Sequence, residues 1–298
     1  MRTTKRFTPS VLERFRRQGR GLGTYQDYIP WHRVGRGDPS SRGRSHLQGW
    51  NGRQRELLSD HEWVMLFFAI TLPSLLDIRE QFPLSQEDAP SELGAYRVDV
   101  SNQLFPGTLT IAKQLGFKRP LTTDVGESDD WVMSTDFLLL LQHADGTLEL
   151  IAIAVKPLGE ITKKRKKELL MIEREYWATR GITWLLITPN EYDERVGINL
   201  RMNMPWALGK AVDDLAQHAA VNVVQKHPGR SLTFVLDKLS TTLGDIDLAQ
   251  RAFWQAVWSA KIPLDLRRGW RPHLPIVLLP PTSFSALNPI MSRRSAWI

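Results

Sequence analysis

The chain has no cysteine among its 298 residues. Disulfide bonds, thiol catalysis and cysteine metal sites are therefore excluded, and the composition fits a reducing compartment. Long apolar runs are also missing, because no stretch approaches the roughly 20 residues that span a membrane. The N-terminus is rich in arginine but lacks an apolar segment, so it is not predicted to be a secretory signal. These absences together predict a cytoplasmic protein.

Acidic residues are scarce at the start of the chain. Residues 1–55 carry 13 Lys and Arg against three Asp and Glu, a net charge of +10, whereas the other 243 residues carry 26 against 29. Such a concentrated basic segment favours a polyanionic partner. A disordered, solubilising tail is the alternative, although Trp31 and Trp50 favour a segment that orders on a surface. The candidate DNA contacts in this arm are Arg20, His32, Arg42, Arg44, His46 and Arg53.

Residues 131–157 have the pattern of two strands joined by a tight turn, and two polar residues, Asp136 and Lys156, interrupt their apolar runs. A two-residue loop would place these two side chains on opposite faces. A three-residue loop ending at Gly146 places Asp136 opposite Ala154 and brings Lys156 onto the same face. We favour this register because Gly146 then lies where a positive φ is needed. A partly exposed ion pair is the alternative to an active site.

Glu62 follows Ser59 at the spacing of a capping box, which predicts a helix over residues 59–71. The ordinary role of Glu62 would be to accept a hydrogen bond from the Ser59 amide. A strand is predicted over residues 75–84, with an unusually polar centre. The other predicted elements are helices at 10–17 (capped by Ser10), 162–177 (capped by Thr162 or a neighbour), 206–224, 231–243 and 245–261, a strand at 182–188, and a proline-interrupted hairpin at 262–279.

The order of these elements predicts an α/β fold, with a mixed sheet flanked by helices. Three helices followed by a hairpin are the order of a winged helix, so a smaller C-terminal winged-helix-like α domain is predicted. The predicted organisation is a basic DNA-contacting arm at 1–55, a catalytic domain at 56–190, the winged-helix-like domain at 191–279, and a partner-binding or disordered tail at 280–298.

Glu62, Asp136 and Lys156 together suit metal-dependent phosphoryl chemistry. Converging carboxylates bind a hard divalent cation such as Mg²⁺, which prefers oxygen ligands and keeps open water positions. A neighbouring lysine offsets negative charge in the transition state or orients the nucleophile. The backbone carbonyl of Val155 is a further candidate ligand. We therefore predict Glu62, Asp136 and Lys156 as catalytic residues, and Glu62, Asp136 and Val155 as metal ligands.

This arrangement resembles the restriction-endonuclease-like motif, which is degenerate by itself. Further stretches sharpen the resemblance: DYIPWHRV at 27–34, SSRGRSH at 40–46, DIREQFPL at 77–84, STDFLL at 134–139, AVKP at 154–157 and EREYWATRGITWLLIT at 173–188. Together they resemble the TnsA family, the endonuclease subunits of heteromeric Tns-type transposases. The resemblance spans roughly residues 20–200, and FWQAVWSAKIPLDL at 253–266 extends it to the C-terminal domain.

The resemblance implies a bacterial, DNA-associated enzyme with a restriction-endonuclease-like fold that uses Mg²⁺ or Mn²⁺. Such an enzyme nicks the 5′ strands at transposon ends, while a TnsB-like DDE transposase cuts the 3′ strands and a TnsC-like AAA+ ATPase couples both to target selection. The resemblance maps catalysis onto Glu62, Asp136 and Lys156. One departure is Ala154, where the family commonly has Gln or another polar residue. Water or the Val155 carbonyl would then complete the coordination, or metal binding is weaker. Gln81 could supply an amide and Glu173 could support the ligands from behind, with ordinary hydrogen bonding as the alternative for both.

Two other functions stay open at this point. A stand-alone restriction or repair nuclease would cut simple DNA without partners. A non-catalytic DNA-binding adapter would rely on the basic arm and the winged helix, with Ala154 as a mark of decay. The retained Glu62, Asp136 and Lys156 argue against the adapter, whereas the basic arm fits every alternative.

Overall fold

The computed structural model describes residues 7–35, 38, 44–99, 102–124, 126–268 and 270–297. Its contacts divide the chain into two compact units, residues 1–63, 74–188 and 296–298 in the first and residues 64–73 and 189–295 in the second. The helices are α1 Pro9–Arg17, α2 Asp60–Ile70, α3 Thr108–Gln114, α4 Lys164–Thr179, α5 Glu194–Ala207, α6 Asp214–Lys226, α7 Leu232–Leu243, α8 Ile246–Trp258 and α9 Pro281–Ser285. The strands are β1 His46–Trp50, β2 Arg53–Leu57, β3 Leu75–Pro83, β4 Leu121–Asp124, β5 Glu127–Asp130, β6 Ser134–Gln142, β7 Leu148–Val155 and β8 Thr183–Ile187. Short 3₁₀ helices lie at Tyr25–Asp27, Glu92–Ala95 and Leu266–Arg268.

The first unit is built on a four-stranded sheet in the order β3-β6-β7-β8. The strands β3, β6 and β7 are antiparallel, and β8 runs parallel to β7 after the crossover through α4. The middle strands are almost wholly buried because both consist mainly of Leu, Ile and Ala. The predicted α/β class, a mixed sheet flanked by helices, is therefore confirmed.

Helix α4 covers one face of this sheet. Its Tyr176 and Trp177 are fully buried and pack in one apolar cluster with Leu138, Leu140 and Ala152. Burying an aromatic side chain of this size contributes about 1.5–3 kcal/mol relative to leaving it exposed. The same packing fixes where the polar side chains of α4 meet the strands.

Two small β ribbons, β1 with β2 and β4 with β5, lie outside the main sheet. Near the N-terminus, Leu12 and Phe15 of α1 are buried in a cluster with Trp31 and Val132. Part of the arm predicted to lie along DNA is therefore packed into the first unit.

The cap of α1 also differs from the prediction. Thr8, not Ser10, is the N-cap, because Pro9 is suited to the first helical position, and the Thr8 hydroxyl accepts from Val11 N.

The second unit is helical. Helix α8 is its centre, with Phe253, Trp254 and Val257 buried. Phe67 of α2 packs against Trp258 with ring centroids 5.6 Å apart. The segment at 280–295, predicted as part of a tail, belongs to this unit: the Asn288 amide donates to Phe68 O at 2.7 Å. No helix in the described part of the chain is long and apolar enough to cross a membrane.

Three predicted elements differ from the structure. The helix predicted over 206–224 is two helices, α5 and α6, because Pro205 and Gly209 lie near the end of the first and Asp213 caps the second. Helix α4 starts at Lys164, and its N-cap is Lys163, the neighbour of Thr162, whose side chain makes no capping hydrogen bond. Residues 262–279 form isolated bridges instead of a hairpin of strands in their described part, since their prolines lack the amide that a ladder needs.

Candidate active site

The β6–β7 hairpin has the predicted register. Phe137 pairs with Ile153, which places Asp136 beside Ala154 at the open end of the hairpin. His143 N donates to Thr147 O at 2.9 Å, so the loop has three residues, and Gly146 has φ +83°. The alternation of side chains then carries Lys156 to Asp136, as predicted.

Asp136 and Lys156 form a close ion pair. Both Lys156 Nζ, at 2.5 Å, and Val155 N, at 2.6 Å, donate to Oδ2 of Asp136. Burial by itself would lower the pKa of Lys156, but the carboxylates of Asp136, Glu173 and Glu62 outweigh it and raise the pKa above its usual value. Lys156 is therefore a fixed positive charge at neutral pH. Val155 contributes its amide here; its carbonyl as a metal ligand stays a prediction.

Glu62 reaches the same place from the first turn of α2. It closes a capping box: Glu62 N donates to Ser59 Oγ, and the carboxylate accepts from Leu58 N at 2.8 Å and Ser59 Oγ at 3.0 Å. The backbone donor is thus Leu58 N, one residue before the predicted Ser59 amide, and Ser59 donates through its hydroxyl. A further donor is Gln81 Nε2, at 2.8 Å from Oε2. Burial and then the charge of Asp136 raise the pKa of Glu62 to about 8.

Glu173 of α4 adds a third carboxylate. It is 4% exposed and accepts from Thr135 Oγ1 at 2.7 Å and Trp184 Nε1 at 3.2 Å. Trp177 Nε1 donates in turn to Thr135 Oγ1 at 2.7 Å, next in sequence to Asp136. Burial raises the pKa of Glu173 to about 7, with Lys156 opposing the shift and Asp136 adding to it. We call Glu62, Asp136, Glu173 and Lys156 the carboxylate centre.

The carboxylate centre has the chemistry of a divalent-cation site. It holds three carboxyl groups and one ammonium. Burial and the charge of Asp136 raise the pKa of Glu62, so negative charge in the centre is poorly compensated. Among the described residues, the hydrogen bonds of Asp136 fall on Oδ2 and none falls on Oδ1. Within the described residues, no three or more Asp, Glu or His side chains are arranged so that together they could hold one metal ion. Mg²⁺ nevertheless needs only one or two carboxylates, because it keeps several waters and binds substrate phosphates. Glu62 and Asp136 therefore fit it.

Two predicted DNA contacts lie inside the first unit. Arg20 is 8% exposed at its side chain and donates to Asp38 Oδ2 at 2.7 Å and Trp31 O at 2.9 Å. His32 is 5% exposed, and burial lowers its pKa to about 4, so it is neutral at pH 7. The charges of Asp136 and Lys156 also act on the pKa of His32, in opposite directions. His32 therefore lies near the carboxylate centre and not on an exposed cationic surface.

Arg53 has a structural position as well. Its guanidinium makes two 2.6 Å hydrogen bonds to the carboxylate of Glu80, which is fully buried in β3. Arg55 approaches the same carboxylate at 3.4 Å and donates to Ile78 O at 2.6 Å. We call Arg53, Arg55 and Glu80 the arginine cluster. It joins β2 to β3, so Arg53 is held within the protein by a bidentate ion pair.

Two further candidate DNA contacts, Arg44 and His46, lie nearer the surface. Arg44 is exposed. His46 is partly exposed, hydrogen-bonds Asp60 Oδ1 at 2.7 Å and stacks on Trp63 with centroids 4.3 Å apart. Arg42 lies outside the described residues. DNA contact by these three residues stays a prediction.

Gln81 is the site residue that sequence reasoning most undervalued. It is 1% exposed and has φ +51°, a conformation that only a few per cent of non-glycine residues adopt. The available signal was the polar centre of β3, Arg79-Glu80-Gln81, since a buried strand does not carry three polar residues without partners.

Comparison with known proteins agrees with this geometry. The family described as "TnsA-like endonuclease N terminal" matches residues 72–189, a segment that includes Gln81, Asp136, Lys156 and Glu173. The "Transposon Tn7 transposition protein TnsA" of Escherichia coli is 34% identical over 212 residues. That alignment covers 70% of this chain and 66% of the relative, so the chain spans slightly less than two thirds of the relative's length. Residues 72–189 of this chain therefore form a TnsA-like endonuclease domain, which is restriction-endonuclease-like, and the predicted resemblance to TnsA is confirmed.

Proposed function

We propose that the chain is a Mg²⁺- or Mn²⁺-dependent DNA endonuclease that nicks the 5′ strands at transposon ends during cut-and-paste transposition. The observation that carries this proposal is the carboxylate centre, where Asp136 and Lys156 on one hairpin meet Glu62 from α2. The family match and the relative named as a transposition protein support the transposon context.

Glu62 and Asp136 are the residues that would hold the cation. When bound, a divalent cation polarises a phosphoryl oxygen and lowers the pKa of an attacking water. The hydrogen bonds from Leu58 and Ser59 orient the Glu62 carboxylate before substrate arrives, and the Val155 amide does the same for Asp136. Oriented oxygens favour catalysis because the site need not reorganise during the reaction.

Lys156 supplies the positive charge toward the scissile phosphate. Its side chain is 29% exposed, so it is accessible to DNA while it is paired with Asp136. A cavity of about 140 Å³ opens beside it, and Ser134 and Lys166 also line this cavity. An ammonium at this position stabilises the negative charge that develops on the phosphoryl oxygens.

The basic arm supplies general affinity for duplex DNA. Residues 1–55 carry a net charge of +10, and Arg44 is exposed. Binding that releases counterions from DNA weakens steeply with salt. We further propose that a TnsB-like DDE transposase cuts the 3′ strands in the same complex, and that a TnsC-like AAA+ ATPase regulates both.

Substitution of Asp136 by alanine tests this function. With transposon-end DNA and the partner transposase, Asp136→Ala is expected to lower 5′-strand cleavage by about 10³-fold, because an aligned cation contributes several kcal/mol. Cleavage of the 3′ strands should persist and serves as an internal control for complex assembly. Asp237→Ala, an exposed position on α7, is the matched control and should leave both cuts unchanged. Intact 5′ cleavage in Asp136→Ala would show that the site assignment is wrong.

A further inference from the structure

Asp136 has two cross-strand neighbours, and only one of them has a side chain that could assist a metal site. On β7 the neighbour is Ala154, which is fully buried in a cluster with Leu170 and Leu186 and has no polar side-chain atom. On β3 the neighbour is Gln81, because the flanking pairs are Glu80 with Phe137 and Phe82 with Thr135.

The backbone of Gln81 departs from the strand at this point. Its φ of +51° lies in the left-handed region, and the regular pairing of β3 with β6 is interrupted opposite Asp136. Non-glycine residues hold such a conformation only where the surroundings enforce it, and they cluster at functional sites.

The surroundings of Gln81 do enforce it. Its carbonyl accepts from Trp31 N at 3.2 Å, and Tyr28 Oη donates to the preceding carbonyl, Glu80 O, at 3.1 Å. The Glu80 side chain is anchored by the arginine cluster and by Glu56 N at 3.1 Å. Two separate segments therefore fix the backbone here: residues 28–31 bind the carbonyls of Glu80 and Gln81, and residues 53–56 bind the Glu80 side chain.

This conformation brings the side-chain amide of Gln81 to the carboxyl group of Glu62. The Gln81 side chain is buried, and its Nε2 donates to Glu62 Oε2 at 2.8 Å. Oε2 also accepts from Leu58 N, so it is an acceptor in this geometry and the amide nitrogen of Gln81 faces it. Among the described residues, no other side-chain amide bonds a carboxylate of the centre.

We propose that Gln81 is a positioning residue that fixes the cation-binding carboxylate of Glu62, the task for which Ala154 has no side chain. This inference rests on the proposed function. The strained backbone at Gln81 delivers an N–H donor to Glu62 Oε2, and this hydrogen bond holds the carboxyl group in one orientation. Groups that orient a metal ligand in this way typically account for about 10- to 100-fold in metal affinity.

Replacing Gln81 by glycine removes the amide and keeps the backbone, since glycine adopts positive φ without strain. The measurement is Mn²⁺ binding to the full chain by titration calorimetry, without DNA, at neutral pH. Gln81→Gly is expected to weaken Mn²⁺ binding about 10- to 100-fold. The half-saturating Mg²⁺ concentration for cleavage should rise in parallel, so that high Mg²⁺ restores the rate.

Ala260→Gly is the matched control, because Ala260 is a second non-glycine residue of positive φ, +60°, and lies in the second unit. It should leave Mn²⁺ affinity unchanged. If Gln81→Gly does not fold, Gln81→Asn gives the answer, since asparagine tolerates this backbone but is one methylene too short to reach Glu62. It should show the same weakened affinity.

Two outcomes separate the inference from the proposed function. If Asp136→Ala abolishes Mn²⁺ binding but folded Gln81→Gly binds Mn²⁺ within twofold of the unmodified chain, the role of Gln81 is disproved and the metal site stands. If the unmodified chain binds no Mn²⁺, or binds it equally well after Asp136→Ala, the proposed metal-dependent function fails together with the inference.

Discussion

The arginine cluster and the carboxylate centre are both buried ionic groups of the first unit, but their charges are balanced differently. In the arginine cluster, two guanidinium groups surround one carboxylate, and Arg53 contacts it through two hydrogen bonds of 2.6 Å. In the carboxylate centre, a single ammonium serves three carboxyl groups, and burial together with the charge of Asp136 raises the pKa of Glu62 to about 8.

This difference separates a structural group from a functional one. A buried carboxylate with full ionic partners holds two strands together and has no need of a ligand. A buried set with excess negative charge opposes its own folding unless protons or a cation neutralise it. The unbalanced set is therefore the one that a bound cation can stabilise, in line with the proposed metal site. Three substitutions or additions test this contrast, from the largest expected effect to the smallest.

Removing the carboxylate from the arginine cluster should destabilise the protein strongly. Glu80→Ala leaves Arg53 and Arg55 buried without their partner, and breaking such a pair typically costs about 3–5 kcal/mol. The free energy of unfolding by urea is the measurement. Glu175→Ala, at an exposed position of α4, should change it by less than about 0.5 kcal/mol. A loss below about 1 kcal/mol for Glu80→Ala would remove the structural role assigned to the cluster.

Adding a cation should stabilise the carboxylate centre. At a Mn²⁺ concentration 100 times its Kd, linkage predicts a gain of about 2.7 kcal/mol in the free energy of unfolding. Asp136→Ala should lose most of this gain because a ligand is gone, whereas Glu80→Ala, though less stable, should keep it. An equal Mn²⁺ effect in the unmodified chain and in Asp136→Ala would place the bound ion elsewhere.

Neutralising Glu62 should have a smaller effect that depends on pH. Its folded pKa of about 8 lies above the ordinary value of 4.5, so ionisation opposes folding increasingly as the pH rises from about 4.5 to 8. Without divalent cations, Glu62→Gln should therefore gain stability relative to the unmodified chain across this range, reaching about 1–3 kcal/mol at pH 8. The change in this difference with pH is the measured quantity; a difference that stays constant from pH 4.5 to 8 would contradict the uncompensated charge.

The hairpin and the capping box were predictable because their signals are local. Gly146 selects the loop length, the alternation of side chains sets the register, and Ser59 with Glu62 marks a helix start within four residues. These motifs place Asp136 beside Lys156 and Glu62 at a helix start, and the family resemblance is what assigned Glu62 to the same site. The sheet and its flanking helices follow from apolar periodicity in the same way.

The remaining features depend on partners that are distant in sequence. A charge count cannot distinguish Arg53, bound to a glutamate 27 residues away, from an arginine that contacts DNA. The positive φ of Gln81 is enforced by contacts from Tyr28 and Trp31, so no local pattern predicts it. Of the proline-interrupted hairpin predicted at 262–279, the described part has the antiparallel bridge Leu264–Leu278 but no strands, because proline removes ladder donors even where the apolar pattern fits.

The hairpin that carries Asp136 and Lys156 also has a consequence for folding. The two residues are 20 positions apart, whereas Glu62 is 74 positions from Asp136, and the entropic cost of closing a loop grows with its length. Formation of the Asp136–Lys156 pair therefore requires only the local closure of β6 on β7 through the loop at Gly146. We therefore expect the ion pair and its hairpin to form before the Glu62 carboxylate joins them during folding.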